Sequence, residues 1–277
     1  MLMTTESSIE LPRFRKSAAA GCVKFLTLGY AALHRKRLYR GFRRDPAMRK
    51  TIAVVQSNYI PWRGYFDLIN SVDEFILYDD VQYTIRDWRN RNIIKTSGGP
   101  LWLTIPVEVK GKYLQKIKDT MISDPTWGRK HWASIVHSYS RAKYFSMHRE
   151  LFEDLYLRSE DKLLSKINYR FIVAICRILG ISTTISWSMD YNLIGDKTER
   201  LVHLCQQAGA TEYLSGPAAR AYLNEDLFQR EPIAVAYIDY SGYPEYRQLY
   251  PPFESRVSIV DLIFNEGPDA AKYMKSF

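Results

Sequence analysis

Two short apolar runs, Thr51-Ile-Ala-Val-Val-Gln56 and Glu74-Phe-Ile-Leu-Tyr78, constrain this chain more than any other feature. Between them lie a Pro/Gly turn, Tyr59-Ile-Pro-Trp-Arg-Gly64, and one short helical stretch, Tyr65 to Val72, with Phe66, Leu68 and Ile69 apolar. Strand, helix, strand at this minimal spacing requires a parallel pair joined by a right-handed crossover. The pattern then repeats. Leu101 to Val107 is strand-like, with Pro106 at an edge or end. Asp124-Pro-Thr126 opens a helical region, and Leu151 to Tyr156 continues it. Leu163, Leu164, Ile167, Phe171, Ile175, Ile178 and Leu179 form the clearest amphipathic helix, which Gly180 ends. Ile181 to Trp187, Thr211 to Leu214 and Ile233 to Tyr240 read as strands. Asp196-Lys-Thr-Glu199 reads as a capping box for the helix that Gly209 stops, and Ser258 caps a last helix, Ile259 to Asn265. The expected fold class is α/β, a mainly parallel sheet with flanking helices, in one domain over residues 50–277.

Charge separates that domain from what precedes it. Residues 1–50 hold 12 basic and three acidic side chains, which accounts for the whole net charge of +9. The rest of the chain is neutral, so a basic face for nucleic acid is not expected. Residues 1–49 form a basic extension, partly helical or without fixed structure. Three readings of it stay open: a surface-lying helix in weak contact with anionic lipid, an organellar presequence, or a non-native extension upstream of Met48. It lacks the features of a secretory signal. The three cysteines stand far apart with no CxxC spacing, which excludes a disulfide framework and a zinc ribbon and suits a reducing compartment. No apolar run is long enough to span a bilayer. The expected location is cytoplasmic, with peripheral contact at the inner membrane as the reading tied to the extension.

In open parallel sheets, ligands bind beyond the carboxyl ends of the strands. Three polar, aromatic loops leave strands there. The first supplies Gln56, Asn58, Tyr59, Trp62, Gly64 and Tyr65, and its helix start favours an anion. The second runs from Asp79 to Asn92. Here Arg86, Arg89 and Arg91 offer forks for phosphate or carboxylate, Trp88 a ring for stacking, and Tyr83 and Asn90 further polar contacts. Asp79 and Asp80 are the candidate catalytic residues, as a general base or a cation ligand. Adjacent strand-end residues point to opposite faces, so one of the two is expected to face the site. The third loop places Ser215, Gly216 and Tyr222 at a strand end, as binders rather than nucleophiles. The histidines are scattered and supply no metal pair. The expected partner is an anionic small molecule such as a nucleotide sugar, and no cofactor is identified.

The first loop is similar in placement to the HxGH motif of nucleotidyltransferases, which implies a Rossmann-like layout. Aligned on Gly64, the two histidine positions hold Trp62 and Tyr65, so the layout carries over and the chemistry does not. Three ordered runs carry a more specific resemblance: Val55-Gln-Ser-Asn-Tyr-Ile-Pro-Trp-Arg-Gly-Tyr-Phe66, Tyr78-Asp-Asp-Val-Gln-Tyr83 and Trp88-Arg-Asn-Arg-Asn92. Tyr213-Leu-Ser-Gly216, Tyr246-Arg-Gln248 and Ser258-Ile-Val-Asp-Leu-Ile-Phe-Asn265 extend it. Together they resemble the WbqC-like family over about residues 51–274. Ser57 departs from the pattern, which usually has Pro there. The resemblance implies a bacterial protein associated with O-antigen and surface-polysaccharide gene clusters. It is compatible with a transferase acting on a nucleotide- or carrier-linked amino sugar, or with a non-catalytic nucleotide-sugar or glycan-binding accessory protein.

Overall fold

A computed structural model describes residues 49–277; the three readings of the basic extension lie outside the described residues. Strand β1 (Thr51–Val55), helix α1 (Arg63–Asn70) and strand β2 (Glu74–Leu77) form the expected unit, with β1 and β2 parallel and Val55 opposite Leu77. Strands β3 (Arg91–Thr96) and β4 (Gly99–Thr104) follow. Helices α2 (Trp127–Tyr139), α3 (Phe145–Leu157) and α4 (Leu164–Leu179) come next, then β5 (Thr184–Trp187) and α5 (Lys197–Ala208). The chain ends through β6 (Glu212–Ser215), α6 (Glu225–Gln229), β7 (Ala234–Tyr237) and α7 (Ile259–Glu266).

The main sheet has five parallel strands in the order β5-β2-β1-β6-β7. Successive strand residues point to opposite faces, and the sheet separates two cores accordingly. Ala53, Phe75 and Leu77 join the larger core with α1, α2, α3, α4 and α7. Ile52, Val54 and Ile76 join the smaller core, under α5 and α6. Among the described residues, no helix is long and apolar enough to cross a membrane.

Three local expectations need correction. The stretch after Asp79 is not a loop throughout: Arg91–Thr96 pairs antiparallel with Gly99–Thr104 as a separate two-stranded sheet. Its tight turn uses Gly99 at φ +103°, a conformation glycine adopts without steric cost. The Asp196 side chain accepts no capping hydrogen bond, so the expected capping box does not form. Helix α6 was not expected at all. The terminal signals of α4 and α7 hold, since Gly180 is left-handed at φ +73° and Ser258 Oγ accepts from the Val260 N–H.

Candidate functional site

A cleft of about 690 Å³ opens beyond the carboxyl ends of the parallel strands. The loop after β1 contributes Asn58 and Trp62, the start of α1 contributes Arg63, the segment leading into β3 contributes Trp88, and β3 itself contributes Asn92. Tyr240, Tyr243 and Glu245 follow β7, while Phe253, Glu254 and Arg256 lie on the strap that precedes α7.

The loop after β1 holds its shape through partners distant in sequence. Ile60 is buried at φ 36°, an unfavourable angle for a β-branched residue. Asn92 Nδ2 donates to the carbonyls of Tyr59 (3.1 Å) and Ile60 (2.9 Å). Ser258 Oγ donates to the same Ile60 carbonyl at 2.7 Å. The Ile259 N–H reaches the Pro61 carbonyl at 2.9 Å. These bonds turn the chain so that Trp62 packs against Tyr240 and Tyr243, with centroids 5.1 and 5.6 Å apart. Gly64 serves that packing: a Cβ there would lie 2.4 Å from the Trp62 ring.

Several expected site residues belong to the interior instead. Tyr59 is fully buried, and its hydroxyl meets His131 Nδ1 at 2.8 Å and Tyr156 Oη at 3.0 Å. Tyr65 is buried and donates to the Gln56 carbonyl at 3.0 Å. Tyr83 is buried as well, and Asn90 Nδ2 donates to the Ile105 carbonyl at 2.8 Å. Burial drives the Tyr59 and Tyr65 phenols well above their ordinary pKa and Tyr83 up to about 12, so none is poised to ionise.

The acidic pair divides as its adjacency requires. Asp79 is fully buried; Oδ1 accepts from the Ser57 N–H at 2.8 Å and Oδ2 from Ser165 Oγ at 2.7 Å. Burial raises its pKa, against the bonds from Ser57 and Ser165 and the charge of Arg89. Asp80 turns to Lys118 at 2.6 Å, Lys116 at 3.4 Å and Ser188 Oγ at 3.2 Å. Burial works to raise its pKa, but the two ammonium groups prevail and hold it low. Neither carboxylate lines the cleft. Asp79 is held by serine groups of the interior and Asp80 by two partly exposed lysines.

The arginines also separate. Arg86 is exposed. Arg89 donates to Asn58 Oδ1 and lies 3.5 Å from Asp87. Arg91 sits on β3, its guanidinium 4.2 Å from the centre of the Trp102 ring. Trp88 is 42% exposed and tilts against Trp102 at 5.4 Å. The third loop does not join the cleft: Ser215 Oγ donates to Tyr213 Oη at 3.3 Å, Gly216 precedes a 3-10 turn, and Tyr222 is 73% exposed.

Two features escaped sequence reasoning. Arg63 is only 6% exposed yet lines the cleft, and Nη1 donates to the carbonyls of Pro244 (2.8 Å) and Tyr273 (3.0 Å). Its place at the first turn of a helix facing the loop cluster was the available signal. The second is a polar cluster around Asp261, almost wholly enclosed. It accepts from Tyr139 Oη (2.8 Å), Tyr246 Oη (2.7 Å) and Gln248 Nε2 (2.9 Å), and burial raises its pKa. Gln248 in turn pairs with the Glu254 backbone, accepting from its N–H at 2.8 Å and donating to its carbonyl at 2.9 Å. This cluster fixes the strap that forms one cleft wall.

No solved structure matches this chain. An uncharacterized protein of Mycobacterium tuberculosis (strain ATCC 25618 / H37Rv), Rv1507c, is 53% identical over 226 residues, covering 82% of this chain and 98% of that relative. A sequence model of the WbqC-like protein family matches residues 56–273. That span takes in the loop after β1, the cleft and the Asp261 cluster, and the chain therefore belongs to the WbqC-like protein family.

Proposed function

We propose that this protein is a cytoplasmic group-transfer enzyme of bacterial surface-polysaccharide assembly, O-antigen included, acting on a nucleotide- or carrier-linked sugar in the cleft. The carrying observation is the cleft itself: a concave site beyond the carboxyl ends of parallel strands, with Trp62 and Trp88 beside Arg63. Indole faces stack on sugars and bases, and guanidinium forks suit phosphate. The strand order supports the reading, because numbering the five strands along the chain gives 3-2-1-4-5, the Rossmann-like arrangement that binds ligands at this edge. Glu245 and Glu254 are the carboxylates that open on the cleft, in the base role first assigned to Asp79 and Asp80. The basic extension would add weak contact with an anionic membrane surface.

A panel of nucleotide sugars screened by thermal shift, followed by product analysis on the hits, tests this. Trp88→Ala should weaken binding of a hit by roughly tenfold with the fold intact, because about 1–3 kcal/mol of stacking is lost at a half-exposed ring. Failure of every nucleotide sugar and of a lipid-diphosphate-linked sugar to bind would refute the proposal. A second reading, a non-catalytic binding protein, draws on Asp79 being sealed and on Trp62 and Tyr65 standing at the HxGH histidine positions. Tight binding with no product under any co-substrate would favour it.

A further inference from the structure

Arg63 is a buried cation at the cleft that forms no close ion pair among the described residues. Its side chain lies within 4 Å of no carboxylate oxygen among the described residues, as the ion pairs there show. Arg256, which also lines the cleft, has Glu254 at 3.7 Å, and Arg89, outside the lining, has Asp87 at 3.5 Å. Asp67, one helical turn from Arg63, lies beyond ion-pair distance, although its charge favours the Arg63 cation and its Oδ2 is buried without a hydrogen-bond partner among the described residues. Its Oδ1 accepts from the backbone N–H groups of Lys275 (3.0 Å) and Ser276 (2.9 Å) and from Ser276 Oγ (2.6 Å). Burying a charge away from a close opposite charge costs free energy, which a bound oxyanion would offset.

The guanidinium is also oriented. Nη1 is held by two carbonyls, and the group lies over the Tyr243 ring at 4.6 Å. Nε and Nη2 make no hydrogen bond to any described residue, so an edge of the fork is free. The amino end of α1 adds to it: no side chain caps it, and the N–H groups of Arg63 and Gly64 find no acceptor among the described residues. Arg63, which starts that helix, and Pro61 and Trp62 just before it all line the cleft. A fixed guanidinium fork beside uncapped helical N–H groups binds an oxyanion.

We infer that Arg63 and the first turn of α1 form the oxyanion subsite of the cleft, which takes the phosphate of a phosphorylated sugar or nucleotide between Trp62 and Trp88. This rests on the cleft being the substrate site, and it moves anion recognition from Arg86, Arg89 and Arg91 to a residue buried at the cleft wall.

Calorimetric titration of the full chain tests it, using inorganic pyrophosphate, three nucleoside diphosphates (uridine, thymidine and guanosine), the matching nucleosides, and glucuronate. Wild type should bind a diphosphate at least about tenfold more tightly than its nucleoside. Arg63→Gln should raise the diphosphate Kd by about 10- to 100-fold, with Arg63→Lys in between. Equal Kd for wild type and Arg63→Gln overturns the subsite. If Trp88→Ala still weakens binding in that case, the cleft reading survives and only the subsite falls. If neither variant matters, or wild type binds no probe, both fall. Arg63-dependent binding of glucuronate alone keeps the oxyanion subsite and makes its natural anion a sugar carboxylate. Should Arg63→Gln fail to fold, the wild-type comparison of diphosphate with nucleoside decides, and equal affinity refutes the inference.

Discussion

Asp79 and Asp80 are neighbours in the chain and serve different ends. Asp80 is a buried carboxylate held by two lysines. Asp79 ties the loop after β1 to α4 by accepting from the Ser57 N–H and the Ser165 hydroxyl. Asn168 completes the knot, donating to Ser57 Oγ at 3.0 Å and to the Arg89 carbonyl at 2.9 Å. Since Asp79 acts as an acceptor on one side, and a hydroxyl on the other can reverse its role, its charge is dispensable to the knot. Asp79→Asn should cost within about 1 kcal/mol, its oxygen facing Ser57 and its amide donating to Ser165. Asp79→Ala leaves a buried N–H and a hydroxyl unpaired and should cost about 2–5 kcal/mol. Urea unfolding of both variants decides. Equal losses would mean that the negative charge itself is needed, with Arg89 as its partner.

The strap before α7 has no regular secondary structure around Gln248 and Glu254, yet it forms one wall of the cleft. Its order comes from the Gln248 amide, which pairs with both backbone groups of Glu254 and is anchored by Asp261 on α7. Gln248→Ala should therefore raise the hydrogen-exchange rate of the Glu254 amide by about tenfold or more, while global stability falls by only about 1–2 kcal/mol. Unchanged exchange at that amide would show that the strap is held by packing, Phe253 on Tyr246 for instance. Such an element is hard to read from sequence. Tyr139, which shares Asp261 with the strap, lies 122 positions before Asp261 in the chain. By contrast, α4 was legible because its buried residues recur at helical spacing and Gly180 can adopt the left-handed angle. Strand β3 was not, because Arg91, Asn92 and Lys95 look like loop residues. Asn92 and Lys95 are buried all the same, since Asn92 binds the Tyr59 and Ile60 carbonyls and Lys95 Nζ donates to Gln248 Oε1 at 3.0 Å. The loop after β1 was legible as a loop, between a strand and a helix, but which of its side chains turn inward depends on elements far along the chain.

At the scale of the molecule, the larger core contains one titratable histidine in a closed hydrogen-bond chain. Tyr59 Oη donates to Tyr156 Oη at 3.0 Å and lies 2.8 Å from His131 Nδ1, and His131 Nε2 lies 3.1 Å from the Thr104 carbonyl. Burial lowers the His131 pKa from 6.5 to about 4, with Lys130 acting the same way and the Thr104 carbonyl opposing both. The unfolded chain takes up that proton near pH 6.5 and the native protein only near pH 4, so in this window the unfolded state binds more protons. The contribution of His131 to stability is therefore fully present above pH 6.5 and is lost as pH falls towards 4. Asp79 and Asp261 act in the opposite sense, because burial raises their pKa and acid favours their folded forms. The wild-type curve sums all three, and a variant isolates the histidine. His131→Gln offers an amide to Tyr59 and Thr104 without a titrating ring. The difference in unfolding free energy between wild type and His131→Gln should change by about 1.4 kcal/mol per pH unit within the window, to a total of about 3 kcal/mol. Urea unfolding from pH 4.5 to 8 measures it. Parallel curves for the two proteins would show that His131 accepts its proton while the core stays folded, and that the chain from Tyr156 to Thr104 is looser than its distances imply.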